Sequence, residues 1–318
     1  MMSSARSPFI PFISSREVDN VLKYEDLIPV IEHALADFSR GKEGGVVQPL
    51  RTVCPVEDRN GRFFTMPCYS KNMGIIACKL MTSAPWPSED DAPRVKIITA
   101  LFGAHNGSLQ AIVDSETLTS MRTAASSAVA TKYLAPTGSR ILTILGAGLV
   151  AGAHLEALAQ VIQFSEIRVW TRTFSKAVTF AEKFGCAAFE TAEEAVNNAD
   201  VIVTVTRSHT PVLMSDWVKD GAHVNCVGAI TPVQQELDPV LIRRAVIYVD
   251  SVQSASTESG DIVKSEANIF GEIGEVALGK LPARKNETTV FKSLGLAIED
   301  AAASKLVYDK YYKPAGGN

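Results

Sequence analysis

The chain has 318 residues, 46% of them hydrophobic and 21% charged, the balance of a globular protein with one large domain or two ordinary ones. A net charge of −4 gives no electrostatic reason to expect nucleic acid or an anionic membrane surface as a partner. No apolar run approaches the ~20 residues that span a bilayer, and "MMSSARSPFIPF" lacks a continuous apolar region with a small-residue cleavage site, so a cytoplasmic location is expected.

In chain order, residues 14–40 read as two helices. Ser14 and Glu17 stand at capping-box spacing, and Leu27, Val30, Ile31, Ala34, Leu35 and Phe38 recur with helical period before Gly41. From 46 to about 114 the pattern is strand-like: "VVQPLRTVCPV", "RFFTMPCY", "GIIACKLMT", "RVKIITALF" and "LQAIVD", with Asn60-Gly61 and Asn106-Gly107 among the turn signals. Such a meander favours an antiparallel sheet. The alanine-rich "TLTSMRTAASSAVATKYLA" turns helical and marks the crossing into a second domain. Beyond it, "RILTILGAG", "EIRVWTRT", "DVIVTVT", "AHVNCVGA" and "AVIYVDS" are short apolar strands separated by helical stretches. That alternation predicts an α/β fold with a Rossmann-type, doubly wound parallel sheet. The tail "YYKPAGGN" reads as frayed.

The first βα turn of this series carries Gly146-x-Gly148-x-x-Ala151. Gly146 permits the tight turn, Gly148 lets the backbone approach a pyrophosphate, and a small third residue lets helix and sheet pack closely. Free amides at the helix start then face the phosphates. About twenty residues on from Gly146 stands Glu166, but it precedes "IRVW" and so falls at the wrong end of the next strand to meet a ribose. At the right end stand Thr171, Arg172 and Thr173. A carboxylate there would repel a 2′-phosphate, whereas a guanidinium flanked by hydroxyls binds one, so the expected cofactor is NADP(H). Thr204 and Thr206, and Gly228 with Ala229, close two later strands that should flank the ribose and nicotinamide; the threonines read equally as strand residues packing through their methyls.

Three cations in or near the first domain stand out: Arg51 in "QPLRT", Lys79 in "ACKLM" and Arg122 in "SMRTAA". Lys79 has apolar neighbours on both sides, so it either snorkels from an edge or projects into a polar cavity. Spacing alone does not bring the three together. The five cysteines are odd in number and widely spaced, which suits reduced thiols, and the five histidines show no ligand spacing, so no metal is expected.

The stretches "GGVVQPLRT", "ACKL", "MRTAASSAVATKYL", "LGAG", "ADVIVTVT", "VNCVGA", "ELD", "YVDS", "ESGD" and "TTVFKSLGLAIEDAAASKLVYD" together resemble the ornithine cyclodeaminase/mu-crystallin family, most closely its mu-crystallin (ketimine reductase) branch. The resemblance implies a homodimer. It implies an α+β antiparallel-sheet domain for substrate binding and dimerisation, over 1–122 with 296–318, and an NADP-binding Rossmann domain over 123–295. It places the substrate-carboxylate cluster on Arg51, Lys79 and Arg122, the nucleotide loop on Gly146, Gly148 and Ala151, and the 2′-phosphate reader on Arg172 and Thr173 beside Thr171. Ser293, Leu294 and Gly295 should return beside the nicotinamide.

In the cyclodeaminases of this family an aspartate follows the strand that here reads "VNCVGA"; the matching residue is Ile230, which neither accepts nor donates a proton. The implied activity is therefore NADPH-dependent reduction of cyclic ketimine carboxylates of the piperideine-carboxylate and thiomorpholine type, with Lys79 either the proton source, itself or through a water it holds, or a purely electrostatic orienter of the substrate. The alternatives are an amino-acid dehydrogenase of the alanine type, and a crystallin-like protein that binds NADPH and thyroid hormone without turnover. For the last, "MTSAPWPSEDDAP" is unlike a hydrophobic hormone wall, although Trp86 in it could line a pocket.

Overall fold

The computed structural model describes residues 10–84 and 95–312. Trp86 and the tail from residue 313 lie outside them, as do residues 1–9 of the start segment. The chain begins with β1 (Phe12–Ile13), α1 (Ser15–Val21) and α2 (Tyr24–Ser39). Six strands follow: β2 (Val46–Val47), β3 (Thr52–Val56), β4 (Gly61–Ser70), β5 (Ile75–Ser83), β6 (Val95–Gly103) and β7 (Leu109–Asp114). Then α3 (Glu116–Leu134) leads to β8 (Ile141–Leu145), α4 (Leu149–Leu158), β9 (Glu166–Trp170), α5 (Phe174–Phe184), β10 (Ala187–Ala188), α6 (Ala192–Val196) and β11 (Val201–Thr204). The last part runs β12 (His223–Cys226), α7 (Pro239–Arg244), β13 (Val246–Val249), α8 (Val252–Glu258), α9 (Gly260–Ser265), β14 (Ile269–Glu272), α10 (Ile273–Ala277), β15 (Thr289–Lys292) and α11 (Ala297–Tyr312).

The chain divides into two compact units. One comprises residues 1–23, 41–119 and 297–318, the other 24–40 and 120–296. In the first, strands lie in the order β1-β7-β6-β5-β4-β2, with β3 also paired to β4, and every pairing is antiparallel except β1 with β7. The stretch "VVQPLRTVCPV" is not one strand. It breaks at 48–51, where Pro49 has no N–H to donate, and both halves return to β4, Val46 opposite Ser70 and Thr52 opposite Thr65. The Asn60-Gly61 signal is a left-handed turn, with Asn60 at φ 46°. α11 lies on β4, β5 and β6, and its first turn is fixed by Gln48, whose Oε1 accepts from the Ile298 N–H at 2.8 Å. The helix runs on through Tyr311 and Tyr312, so those two residues of the expected frayed tail are ordered into it.

In the second unit eight parallel strands lie in the order β10-β9-β8-β11-β12-β15-β13-β14. The chain moves one way from β8 to β10, returns to β11, and moves the other way, so the switch point lies between β8 and β11. β11, β12 and β15 are buried at every position, so polar residues of β12 and β15 such as His223, Asn225 and Thr289 face other buried groups and not solvent. β15 enters late between β12 and β13, which carries Ser293–Leu294–Gly295 to the carboxyl ends of the central strands. The capping box at α1 forms as spaced, with the Ser14 N–H donating to Glu17 Oε2 at 2.8 Å. The helix after it, α2, packs in the second unit: Tyr24 donates to the Ala153 carbonyl at 3.0 Å, and a Cβ on Gly274 of α10 would meet the Leu35 carbonyl oxygen at 2.1 Å.

A layer of buried polar side chains joins α3 to this sheet. Asn225 donates to Thr131 Oγ1 at 2.9 Å, and His223 meets Thr289 Oγ1 at 2.9 Å and Asn225 Oδ1 at 3.3 Å. Nearby, His154 of α4 meets Ser127 Oγ at 2.9 Å and donates from Nδ1 to the Val150 carbonyl at 2.7 Å. Burial pulls His154 down to about 4 and His223 down to about 3, from an ordinary 6.5. The unfolded chain therefore takes up two protons near pH 6.5 that the folded chain refuses. The stability these neutral rings contribute is complete above that pH and is lost as pH falls toward their folded values. At pH 5 each is expected to cost about 2 kcal/mol. Urea unfolding at pH 7.5 and pH 5.0 checks this, and His223→Asn should remove about half of the difference.

Candidate functional site

The carboxyl end of the parallel sheet is assembled from five strand ends. Gly146, just past β8, sits at φ 130°, and a Cβ there would come 2.8 Å from the Val205 carbonyl oxygen. Only glycine allows the chain to turn this close to β11. Its N–H donates to the Trp170 carbonyl at 2.7 Å, tying the turn to the last residue of β9. Gly148 caps α4, and a Cβ on it would meet nothing within 4 Å, so the side where a phosphate would lie is open. Ala151 is fully buried, and a Cβ on the next residue, Gly152, would strike Phe184 of α5 at 2.6 Å. The small residues after the turn thus let α4 seat, while the ten-residue helix presents its free amides to the open side. These features fit a dinucleotide pyrophosphate.

Thr171, Arg172 and Thr173 follow β9 directly, and Thr173 caps α5. Arg172 and Thr173 are exposed and Thr171 half-buried. Glu166 is at the opposite end of β9, where its Oε1 accepts from Arg168 Nε at 2.7 Å. No carboxylate occupies 171–173, so the end of the crest beyond β9 carries hydroxyls and a guanidinium.

Thr204, Thr206 and Gly228 are drawn together by Glu236, a residue to which local sequence pattern assigns no role. Glu236 accepts at Oε2 from Thr204 Oγ1 (3.0 Å) and the Gly228 N–H (2.7 Å), and at Oε1 from the Thr206 N–H and from Thr206 Oγ1 (2.6 Å). Both threonine hydroxyl protons are given to this carboxylate, so Thr204 and Thr206 shape the crest through it. A Cβ on Gly228 would lie 1.8 Å from the Thr206 carbonyl oxygen, so the loops after β11 and β12 touch backbone to backbone.

Ser293, Leu294 and Gly295 form the turn after β15. The Ser293 N–H donates to the Cys226 carbonyl at 3.1 Å, and Asp250 Oδ2 accepts from the Leu294 and Gly295 N–H groups at 2.6 and 2.7 Å. The aspartate of "YVDS" thereby shapes the turn of "FKSLG". Gly295 lies at φ 79°, and a Cβ on it would come 2.6 Å from Arg122 Nη1, so the buried Arg122 guanidinium is seated against this backbone. Ile230 packs against the apolar core of the sheet, and its N–H donates to Gln234 Oε1 at 3.1 Å.

Arg51 and Lys79 belong to the first unit. Arg51 is half-buried, just ahead of β3. Lys79 is interior to β5, 3% exposed, and its Nζ donates to Asp300 Oδ1 of α11 at 3.1 Å. Of the two placements open to it from sequence, it takes the polar interior. The same region pushes the Cys68 thiol up to about 12, by burial and by the Asp300 charge. Lys79 thus offers an ammonium and a proton in a setting from which bulk water is excluded.

The family model for the ornithine cyclodeaminase/mu-crystallin family matches residues 11–314. The ketimine reductase mu-crystallin of Mus musculus is 47% identical over 303 residues, covering 94% of this chain and 97% of that one. Among solved structures, Thermococcus litoralis Δ1-pyrroline-2-carboxylate reductase in complex with NADH and L-proline is similar at a TM-score of 0.88 and 31% identity, covering 96% and 98% of the two chains. An archaeal alanine dehydrogenase dimer with bound NAD is similar at 0.87 and 30% identity, covering 97% and 98%. On the match of the family model and on these identities, the chain belongs to the ornithine cyclodeaminase/mu-crystallin family.

Proposed function

We propose that this protein is an NADPH-dependent reductase of cyclic ketimine carboxylates. The observation that carries the reaction class is Ile230. Where the cyclodeaminases of the family use an acid, this chain has a half-buried isoleucine packed against the sheet core, a side chain that neither accepts nor donates a proton. A cyclic imine protonated on nitrogen is already electrophilic and needs no such acid. Gly146, Gly148 and Ala151 would hold the cofactor pyrophosphate, Arg172 and Thr173 beside Thr171 its 2′-phosphate, and the crest at Thr204, Thr206, Gly228 and Ser293–Leu294–Gly295 its nicotinamide. Bound there, NADPH supplies hydride to the imine carbon. Arg51, Lys79 and Arg122 are the proposed ligands of the substrate carboxylate. Lys79 Nζ, held by Asp300, is also the proposed source of the proton on the substrate nitrogen.

A homodimer and a cytoplasmic location belong to the same proposal. The first sheet supports the dimer with a row of large apolar side chains in the open: Val47 opposite Tyr69 and Tyr69 opposite Ile76, which are 63%, 38% and 40% exposed. The archaeal alanine dehydrogenase favours a second reading, in which the imine forms from pyruvate and ammonia. Initial rates of NADPH and NADH oxidation with a cyclic ketimine carboxylate, against pyruvate plus ammonia, separate the two. Turnover of the ketimine with NADPH is expected. Turnover only with pyruvate and ammonia would make it an amino-acid dehydrogenase. Tight NADPH binding without turnover, together with bound thyroid hormone, would make it a binding protein.

A further inference from the structure

Four fully buried side chains meet beyond the ends of adjacent strands in the second unit, and the proposed chemistry uses none of them. Lys292 ends β15, Cys226 ends β12, Asp261 lies in the first turn of α9, and Glu236 stands on the loop before α7. Lys292 Nζ is 3.5 Å from Asp261 Oδ2 and 3.6 Å from Cys226 Sγ, and the thiol donates to Asp261 Oδ2 at 3.1 Å. Asp261 Oδ1 accepts from the N–H groups of Glu236 and Leu237 at 2.8 and 2.9 Å, which fixes the backbone that carries Glu236. A Cβ on Gly260 would lie 1.8 Å from the Gln234 carbonyl oxygen, so that glycine is what lets the loop close onto α9. The motifs "ELD", "ESGD" and "FKSLG" are thus three parts of one object.

The cluster sets one ammonium against two carboxyl groups. Burial pulls the Lys292 ammonium down, but Cys226, Asp261 and Glu236 outweigh it and hold its pKa above the ordinary lysine value. Burial pushes the Cys226 thiol well up, which leaves it a neutral donor. Burial, with the Asp261 charge, holds Glu236 above the ordinary carboxylate value, against the pull of Lys292 and of the Thr206 hydroxyl and N–H. Each Glu236 oxygen accepts from a backbone N–H that has nothing else to do but donate, and the ionised carboxylate is the form that satisfies both. With Lys292 and Asp261 offsetting each other, one negative charge remains, and it sits against Thr206 and Gly228.

Burying charges costs several kcal/mol per ion, and an apolar filling is often as stable. A role beyond stability explains the cluster better. The inference rests on the proposed function, which puts the nicotinamide across these strand ends. Reduction moves a hydride, one proton with two electrons, from C4 of the reduced ring to the iminium carbon. The C=N π pair becomes the nitrogen lone pair, and the positive charge leaves the iminium and appears on the ring. We propose that Glu236 is a positioning residue that acts electrostatically. Through the Thr206 and Gly228 loops it sets one negative charge under the crest, favouring the oxidised, cationic ring over the reduced, neutral one.

The test is the ratio of affinities for NADP+ and NADPH, measured by calorimetric titration of the full-length protein. Glu236→Gln keeps the size and removes the charge, while turning an amide donor toward one of the two backbone N–H groups, and should lower the NADP+ to NADPH affinity ratio by about tenfold or more. Asp261→Asn leaves Lys292 to offset Glu236 and should move the ratio the same way. Equal weakening of both cofactors, with the ratio unmoved, means a merely structural cluster and overturns the proposal. Should neither variant unfold cooperatively, the wild type decides: NADP+ bound at least as tightly as NADPH supports the proposal, and NADP+ bound more weakly overturns it. A wild type that binds neither cofactor would sink the proposed function itself, which an unmoved ratio does not.

Discussion

Lys79→Met is expected to lower turnover of a cyclic ketimine carboxylate by about 100- to 1,000-fold, the range for loss of a buried charged group acting on the reacting centre, and to leave the Kd for NADPH within about threefold. Lys79 is interior to β5, between Met66 of β4 and Thr99 of β6, and its ammonium is directed to Asp300 on the helix that covers the sheet. Methionine fills the stem volume but places a methyl where the ammonium faced the carboxylate. That change costs stability as well as chemistry, about 3–5 kcal/mol for breaking a buried pair from one side. The double variant Lys79→Met/Asp300→Asn separates the two effects. It removes the buried charge along with its partner, and most of the lost stability should return in thermal unfolding while turnover does not. Turnover returning with stability would make Lys79 a structural cation. Normal turnover with NADPH binding lost would remove it from the substrate site.

The placement of Lys79 shows what sequence could and could not carry. Its apolar neighbours in "ACKLM" allowed a snorkelling stem or a polar interior, and nothing local chose between them. The choice is made by a residue 221 positions away, on a helix whose sheet contacts no local pattern encodes. Local signals did resolve into local structure: the Ser14–Glu17 box opens α1, the alternation after 140 becomes parallel strands, and "GAG" is the turn at the head of α4. Elements whose place depends on distant partners were not legible. β15 is four residues long and lies between β12 and β13, although 39 residues separate it from the end of β13, counting 250–288. The periodicity of α2 shows that it has an apolar face but not which unit receives it. Thr204 and Thr206 could be read as ligands or as core because their shared acceptor, Glu236, comes about thirty residues later. Charge networks assembled from separate loops leave no periodic trace.

At Arg172 the expected effect is on the choice of cofactor. Arg172→Ala should weaken NADPH by about 100-fold, the worth of two charge-assisted hydrogen bonds to a phosphate, and leave NADH within about threefold. The residue is exposed and follows β9 directly, and the Gly146 N–H donates to the Trp170 carbonyl two residues before it, so it belongs to the same rim as the Gly146 turn. An exposed guanidinium holding a phosphate works through screened charge. Raising the salt from about 50 to 500 mM should therefore weaken NADPH and spare NADH, and Arg172→Ala should abolish that difference. Arg172→Asp goes further. It places at this strand end the carboxylate that NAD-binding domains use for the ribose hydroxyls, so NADPH should be repelled and the preference reversed. Binding titrations with both cofactors at two salt concentrations measure all three proteins, wild type included. Equal affinity of the wild type for NADPH and NADH would show that no 2′-phosphate is read at 171–173, whatever the reductase chemistry. Reversal in Arg172→Asp would show that the sign of one side chain, on an otherwise unchanged crest, decides which cofactor is bound.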